Sequence, residues 1–365
     1  MCKYYFQNGN FVIESYDRAK PFSSFLPGIA GVKGIPMWVF YVNRAQGIAS
    51  FGIHSKNNAI LEFSPANTVY QNISYNGFRT FIKINNQVYE AFDIKKQNSF
   101  ITRKMLINEA KIQFIETNKE IGLEIKVNYF GLPNENFAAL VRKVEIINIS
   151  NKEIKLEVLD GITSILPFGV SNEAYKQVSN LLRSWMEIYN LESNIPFYKL
   201  RASTNDSSQI NEIKKGNFYL SISNEEKLIK PIVDRDIIFG YDTSLSRAIN
   251  FESNKLSHLL KQEQVSANKV PCGFTPLEKK LNKNEVLVVN TLIGQVSDFE
   301  IINSFSKKVN LQYLTKKEYE SYNLVRNLTN DIATKTASTL FDEYCRQCYL
   351  DNLLRGGYPY IIGDK

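Results

Sequence analysis

A Cys-x-x-Cys pair, Cys345 and Cys348, has the most chemically suggestive spacing in the sequence. Two thiols so placed can bind zinc or exchange a disulfide, but a structural zinc site needs four ligands and a thioredoxin-like site needs a βαβ context. The two histidines, His54 and His258, are far apart in the sequence, and no βαβ pattern surrounds the pair. Both cysteines share a predicted helix face with Phe341, so we expect them to pack in a core, without a metal or a cofactor.

Paired carboxylates offer a second kind of chemistry, because glycoside cleavage uses two carboxyl groups that face one bond. The sequence has two such pairs, Asp234 with Asp236 and Asp342 with Glu343. The first pair precedes an apolar run at residues 237–240 that predicts a strand. The second lies near the start of a predicted helix, where acidic residues favour the macrodipole. We expect structural roles for both pairs and assign no catalytic residue.

Aromatic side chains are a third candidate, because sugar rings present apolar C–H faces that stack on them. The chain holds 23 Phe, 20 Tyr and 2 Trp. Most of these should lie in a core on composition alone. We take Trp38, Phe78, Tyr358 and Tyr360 as candidates for an exposed sugar-binding surface.

Length and charge exclude several classes of protein. The 365 residues allow about two domains, each able to bury a core. The net charge is +7, but the basic residues are dispersed, which argues against a nucleic-acid partner. No apolar run reaches the ~18 residues of a membrane span, and the first residues lack the apolar core of a signal peptide. We therefore expect a cytoplasmic protein with no membrane partner.

Alternating apolar and polar residues predict that the first part of the chain is β-rich. Residues 121–128 place Ile121, Leu123, Ile125 and Val127 on one face, as in a half-buried strand. Asn85-Asn86 predicts a two-residue hairpin turn. Further strands are predicted at residues 11–16, 38–42, 47–53, 59–63, 77–84, 87–92, 137–147, 153–159, 195–200, 217–222, 237–240 and 285–294, with two more inside 101–116. Such spacing predicts a large antiparallel sandwich.

Helical signals are concentrated near the end of the chain. Besides a short helix at 172–180, we predict helices at 299–309, from a capping box of Thr315 and Glu318 to about residue 332, and from Ser338 to the glycines at 356–357. We therefore divide the chain into a β-sandwich domain at residues 1–295, a helical linker at 296–335 and a third segment at 336–365.

Residues 19–53 stand apart, because this stretch mixes large aromatics with backbone breakers. Three prolines and three glycines lie between residues 21 and 36, ahead of the aromatic strand at 38–42. The glycines lack the Lys-Ser/Thr pair and the following helix of a phosphate-binding loop. A loop this long and apolar must pack on something or line a site.

Several motifs in and after this stretch resemble the cellobiose phosphorylase type of glycoside phosphorylases, especially the long branch that includes β-1,3-glucan phosphorylases. The matching segments are residues 19–31 and 34–38, 47–53, Glu62-Phe63-Ser64-Pro65-Ala66-Asn67, Gly77-Phe78-Arg79-Thr80-Phe81, Leu159-Asp160-Gly161, Ile195-Pro196-Phe197-Tyr198, Gly240-Tyr241-Asp242, 347–352 and 355–360. The resemblance covers nearly the whole chain and is most specific at residues 19–81.

The resemblance implies a mainly β fold, in which a large antiparallel β-super-sandwich is followed by linker helices and the first helix of an (α/α) barrel. It implies inverting phosphorolysis of β-glucosidic bonds in oligo-glucans, giving α-glucose 1-phosphate, with inorganic phosphate as co-substrate and one Asp as the acid. It also implies a homodimer in the full-length protein. In the family the catalytic acid and the phosphate site lie later in the barrel, so we expect an N-terminal fragment that is inactive alone and carry over no catalytic residue.

Seven residues are our candidates for contact with a β-glucan substrate. They are Trp38, Arg44, Arg79, Gln347, Asn352, Arg355 and Tyr358. We expect residues 22–38 to project from the sandwich toward an active site. Two other functions stay open from the sequence: a stand-alone carbohydrate-binding or scaffold module, and a different carbohydrate-active transferase with the same N-terminal domain.

Overall fold

The computed structural model describes residues 2–26, 29–31, 35, 37–203 and 212–353. In chain order, its strands are β1 (Lys3–Gln7), β2 (Asn10–Glu14), β3 (Ser23–Phe25), β4 (Met37–Val42), β5 (Ile48–Ile53), β6 (Ala59–Leu61), β7 (Phe78–Ile84), β8 (Gln87–Glu90), β9 (Ile101–Ile107), β10 (Lys111–Asn118), β11 (Leu123–Gly131), β12 (Ala138–Asn148), β13 (Ile154–Ile162), β14 (Met186–Tyr189), β15 (Phe197–Leu200), β16 (Gly216–Ser223), β17 (Gly273–Leu281) and β18 (Val286–Val296).

These strands form large antiparallel sheets, as predicted. Within the described residues, one sheet has ten strands in the order β1-β2-β9-β10-β11-β12-β18-β16-β15-β14. Two four-stranded sheets, β17-β13-β7-β8 and β3-β4-β5-β6, complete the described sheet structure. The hairpin turn between β7 and β8 is confirmed: Asn85 and Asn86 have φ of 49° and 65°, the left-handed values that such a turn requires.

The main core lies between the ten-stranded sheet and the two smaller sheets. Ile125 and Val127 of β11 point into it, together with Leu156 of β13 and Phe51 of β5. Because side chains alternate along a strand, the other face of the ten-stranded sheet is also apolar where helices cover it. There Phe218 packs in a second cluster, and the outer face of β7, β13 and β17 carries a third one.

The helices form outer layers on both sides of this sandwich. They are α1 (Ala66–Asn76), α2 (Asn172–Leu182), α3 (Asp236–Phe239), α4 (Ile249–Ser253), α5 (Leu256–Leu259), α6 (Phe299–Ser306), α7 (Leu311–Thr329) and α8 (Thr339–Leu353). Ile302 of α6 and Leu314 of α7 cover the ten-stranded sheet, whereas Ile238 and Phe251 of α3 and α4 cover the β7–β13–β17 face. Among the described helices, none has the length and apolar character needed to cross a bilayer.

Two secondary-structure predictions are wrong. The helix predicted to open at Thr315 begins at Leu311, because Asn310 accepts a hydrogen bond from the Tyr313 backbone N–H at 2.8 Å. Thr315 therefore lies inside the helix, where its hydroxyl donates to the Leu311 carbonyl at 2.9 Å. The strand predicted at 237–240 is the short helix α3, since a four-residue apolar run does not distinguish the two states.

The change from strands to helices after β18 agrees with the sequence. The last described strand ends at Val296, and α6, α7 and α8 follow it. Ser338 caps α8 as expected, accepting from the Phe341 backbone N–H at 3.3 Å. The division into three segments stays a prediction, as does the assignment of α8 to an (α/α) barrel.

A charged network lies inside the main core. Arg142 and Asp160 are 1% and 0% exposed and form an ion pair between β12 and β13. Thr80 donates to Asp160 at 2.6 Å, while the Arg142 guanidinium also donates to Gln46 at 2.5 Å and to the Tyr129 hydroxyl at 3.2 Å. Full hydrogen bonding is what makes a buried ion pair tolerable.

Gly161, next to Asp160, is required by the close approach of two strands. A Cβ at this position would lie 1.9 Å from the carbonyl oxygen of Gly273 and 2.7 Å from the Cα of Phe274. Any side chain would therefore push β13 away from β17. The Leu159-Asp160-Gly161 motif thus combines a buried charge with a backbone contact.

Candidate functional site

A cavity of about 310 Å³ lies between α8 and the ends of several strands. The sandwich contributes most of its wall, from β1, β2, β3, β4, β9 and the turn after β9. The lining residues are Phe6, Gly9, Phe11, Ser24, Tyr41, Ile107, Asn108, Glu109, Leu340, Glu343, Tyr344 and Gln347. We call this space the α8 cavity.

One face of α8 closes the cavity. Leu340, Glu343, Tyr344 and Gln347 line it, and their spacing of three and four residues places them on one side of a helix. Farther along the same side of the helix, Leu350 is fully buried against Ile29, Ala110 and Val325. Arg346 also donates to the Thr329 hydroxyl at 2.8 Å.

The walls are largely apolar and aromatic. Phe6 and Phe11 are half-buried, Tyr41 is 5% exposed, and Tyr344 is 64% exposed at the rim. A space lined by aromatic rings with a few polar groups is the usual composition of a small-molecule site. Sugar rings fit such walls, because their C–H faces pack on aromatic rings while their hydroxyls meet the polar groups.

The polar part of the cavity is a pair of carboxyl groups, Glu109 and Glu343, joined by Arg326 of α7. The Arg326 guanidinium donates to Glu343 Oε1 at 3.1 and 3.2 Å, and its Nε forms an ion pair with Glu109. Although Arg326 Nε is close to Glu109 Oε1, the direction is poor, and this oxygen accepts no hydrogen bond among the described residues. Glu109 is 4% exposed, so the two carboxyl groups and the Arg326 guanidinium form a buried, charged end of the cavity.

The pKa of Glu109 is raised to about 7, mainly by burial and also by the contact with Glu343, while the positive charge of Arg326 opposes the shift. Glu109 therefore exchanges a proton near neutral pH. Such a perturbed acid in a cavity is typical of a functional site.

Trp38, the first predicted site residue, packs inside the protein. It is 8% exposed and contacts Phe63 edge to face at 5.9 Å. Its cluster includes Leu182 and Met186, next to α2. The indole Nε1 has no hydrogen-bond partner among the described residues. Trp38 therefore does not lie on an exposed surface, contrary to the prediction, while its contact with a sugar stays a prediction.

The two predicted arginines bind protein groups. Arg44 is half-buried and donates to the carbonyls of Asn43 and Ala19 at 2.7 and 3.0 Å. Arg79 is 2% exposed and holds Glu90 through two hydrogen bonds of 2.6 and 2.8 Å. Both arginines therefore have a structural role here, and their contact with substrate stays a prediction.

Of the remaining predicted residues, only Gln347 can be placed. It lies on the cavity face of α8. The side chain of Asn352 and the whole of Arg355, Tyr358 and Tyr360 lie outside the described residues. The loop expected to project at 22–38 reaches the cavity through Ser24, but Leu26, Ile29 and Ala30 are buried.

The predictions for Phe78 and for the two cysteines of α8 are also wrong. Phe78 is 3% exposed and stacks on Phe51 at 6.1 Å, so it belongs to the core and not to an exposed surface. Cys345 and Cys348 are half-buried and do not pack in a core, because the Phe341 side of α8 faces outward, with Phe341 51% exposed. No group of three or more His, Cys, Asp or Glu in the described ranges is placed to hold a metal ion.

The structural roles predicted for the two carboxylate pairs are confirmed for three of their four residues. Asp234 and Asp236 both bind Lys269, and Asp342 accepts the Thr336 backbone N–H at 3.0 Å, so these three have the structural roles expected. Glu343 instead faces the cavity. The carboxyl group that it contacts belongs to Glu109, which the sequence did not single out. A lone acid in a turn gives no signal of a contact with a residue so distant along the chain.

Comparisons with known proteins give similarity only at the level of solved structures. No protein-family model matches the chain, and no curated protein sequence matches it. A putative kojibiose phosphorylase from the human microbiome is similar over 91% of this chain and 31% of its own, with 8% identity and a TM-score of 0.32. A bacterial glucoamylase complexed with acarbose is similar over 82% and 36%, with 10% identity and a TM-score of 0.40.

A third similar structure is a galactose mutarotase-like protein from Clostridium acetobutylicum. The match covers 81% of this chain and 98% of that one, with 11% identity and a TM-score of 0.34. This chain spans about a third of the length of the phosphorylase and of the glucoamylase. Because all three TM-scores are low, the function proposed below rests on residues of this chain.

Proposed function

We propose that this chain is the carbohydrate-binding N-terminal part of a glycoside phosphorylase. The full-length enzyme cleaves β-glucosidic bonds of oligo-glucans with inorganic phosphate as co-substrate, inverts the anomeric carbon and releases α-glucose 1-phosphate. It acts in the cytoplasm as a homodimer. The resemblance of residues 19–81 to that family supports the reaction, and the α8 cavity supports the binding of a sugar.

The observation that carries the proposal is the composition of the α8 cavity. Phe6, Phe11 and Tyr344 supply apolar surface for a sugar face. Glu109 and Glu343 supply carboxyl groups at one end of the cavity, and Gln347 supplies an amide. A hydroxyl-rich ring of low charge satisfies both kinds of surface at once.

We expect Tyr344→Ala to weaken binding of β-1,3- or β-1,4-linked gluco-oligosaccharides about tenfold, because a packed aromatic contributes about 1 kcal/mol beyond its buried area. Titration calorimetry on the 365-residue chain measures the affinity. Tyr344→Phe should retain most of it, since the ring remains. Tyr319→Ala is the matched control: this tyrosine is 67% exposed on α7 and does not line the cavity. Equal affinities for wild type and Tyr344→Ala would refute the cavity as the sugar site.

The reaction has its own test. With inorganic phosphate and a gluco-oligosaccharide, we expect this chain to bind the sugar without releasing glucose 1-phosphate, whereas the complete reading frame releases it. Release of glucose 1-phosphate by this chain alone would show that its own residues suffice for the chemistry.

A stand-alone carbohydrate-binding module is the second candidate. It is favoured by the lining of the α8 cavity, which combines aromatic and polar residues of the sandwich and of α8. The two proposals separate in the phosphorolysis assay, because a binding module gives no glucose 1-phosphate from any length of reading frame.

A further inference from the structure

A second, larger depression lies at one end of the sandwich, where connections between strands meet. It has a volume of about 800 Å³ and is lined by residues of the β7–β8 turn, the segment 93–100, the β10–β11 turn and the β12–β13 turn. Five lysines line it, four from three of these connections and one from the start of β13: Lys95, Lys96, Lys119, Lys152 and Lys155. We call it the lysine groove.

The positive charge of this groove is not cancelled by its own acids. Glu120 and Glu153 are the only acidic side chains among the described lining residues. Glu120 accepts a hydrogen bond from Asn98 at 3.3 Å, and Glu153 pairs with Lys280, which lies outside the groove, at 3.5 Å. Lys119 and Lys152 take part in no ion pair within the described ranges. An anion entering the groove therefore meets free ammonium groups.

The groove continues into a neighbouring depression of about 370 Å³, with which it shares Asn85 and Lys155. Lys83 and Lys255 line this second part together with two acids, Glu157 and Glu278, and Glu278 lies 3.9 Å from Lys155 Nζ. Lys83 is paired with Glu157 at 3.6 Å, whereas Lys255 has no ion pair among the described residues. Lysines still outnumber acids over the two parts, so a net positive charge extends along a track. Such a track suits a chain of repeated negative charges better than a single small anion.

The chemistry of the walls favours a sugar polymer over a nucleic acid. Single-stranded nucleic acids bind by stacking bases on exposed aromatic rings. Tyr89 is the only aromatic residue that lines the groove among the described residues, and it is 9% exposed with Lys96 Nζ at 5.2 Å from its ring centroid. Side-chain amides of Asn85, Gln87 and Gln97 offer hydrogen bonds to hydroxyl groups instead.

We propose that the lysine groove binds an acidic polysaccharide, a sugar chain that carries a carboxylate or sulfate on most of its units. This function is independent of the oligo-glucan binding proposed for the α8 cavity. The two sites differ in wall chemistry, since one is aromatic and the other is amide- and lysine-lined.

The test is binding of polygalacturonate to the full chain, with neutral β-glucan as the uncharged comparison. Wild type should bind polygalacturonate, with an affinity that falls steeply between about 50 and 200 mM salt, as for other polyanions. Lys119→Glu combined with Lys152→Glu should weaken this binding at least about tenfold, because two attractive charges become repulsive. Oligo-glucan binding at the α8 cavity should not change.

Lys307→Glu with Lys316→Glu is the matched control, since these exposed lysines carry the same charge change and do not line the groove. An equal loss in both double variants would mean that net charge alone binds the polymer, and the proposal would be wrong. It would also be wrong if wild type failed to bind polygalacturonate, or if a single-stranded RNA homopolymer bound more tightly at the same salt concentration. Circular dichroism of both variants confirms that they are folded.

Discussion

Replacing Asp160 by asparagine is expected to lower the free energy of unfolding by about 3–5 kcal/mol. The change leaves the Arg142 guanidinium, which is 1% exposed, without a counter-ion in the middle of the core. It also turns one of the two carboxylate oxygens into an amide nitrogen, although Oδ1 accepts a hydrogen bond from the Thr80 hydroxyl at 2.6 Å and the other oxygen pairs with Arg142. Urea unfolding of wild type and variant, followed by circular dichroism, measures the difference.

A surface ion pair on the same strand supplies the control. Lys143 and Glu145 of β12 are paired at 2.7 Å with side chains 26% and 22% exposed, so Glu145→Gln should cost no more than about 1 kcal/mol. Arg142→Met combined with Asp160→Leu should recover much of the loss, because no unpaired charge remains buried. If Asp160→Asn lowers the free energy of unfolding no more than Glu145→Gln does, the buried pair does not stabilise the sandwich.

The second large effect is a dependence of stability on pH that comes from Glu109. Its pKa is raised to about 7 in the folded protein, mainly by burial and also by Glu343, against the opposing charges of Arg326 and Arg346. Between the ordinary pKa of a glutamate and about pH 7, the folded state binds more protons than the unfolded state. The contribution of Glu109 to the free energy of unfolding is therefore greatest at the acidic end of this window. It is lost as the pH rises through the window, by up to about 3 kcal/mol.

Glu109→Gln isolates this contribution, because glutamine resembles the protonated acid at every pH. Relative to wild type, the variant should gain about 3 kcal/mol in free energy of unfolding as the pH rises from about 4.5 to above 7. Chemical unfolding at several pH values measures this difference, in which the titration of all other groups cancels. Glu343→Gln should lower the pKa of Glu109, since it removes a neighbouring carboxylate. The loss of stability seen in the wild type should then occur at lower pH. A pH-independent difference between Glu109→Gln and wild type would contradict the assignment.

Local patterns predicted much of the β structure. Strands that are half-buried, such as β11, alternate so regularly that their position and inward face can be read directly. The predictions were poorer where propensity is weak or tertiary packing decides. Strands β1 and β17 and helix α1 were missed. Thr315 and Glu318 matched a capping box, yet the residue that caps the helix is Asn310, five residues before Thr315.

The sequence by itself determined the half-buried strands such as β11, the hairpin turn at Asn85-Asn86 and the change to helices after β18, because these depend on neighbours along the chain. Only the tertiary structure decided which charged groups meet. Arg142 faces Asp160 because β12 and β13 belong to sheets that pack together, and Glu109 faces Glu343 because α8 docks on the turn after β9. Such contacts join residues far apart in sequence, and their energies depend on burial, which no single segment of the chain reveals.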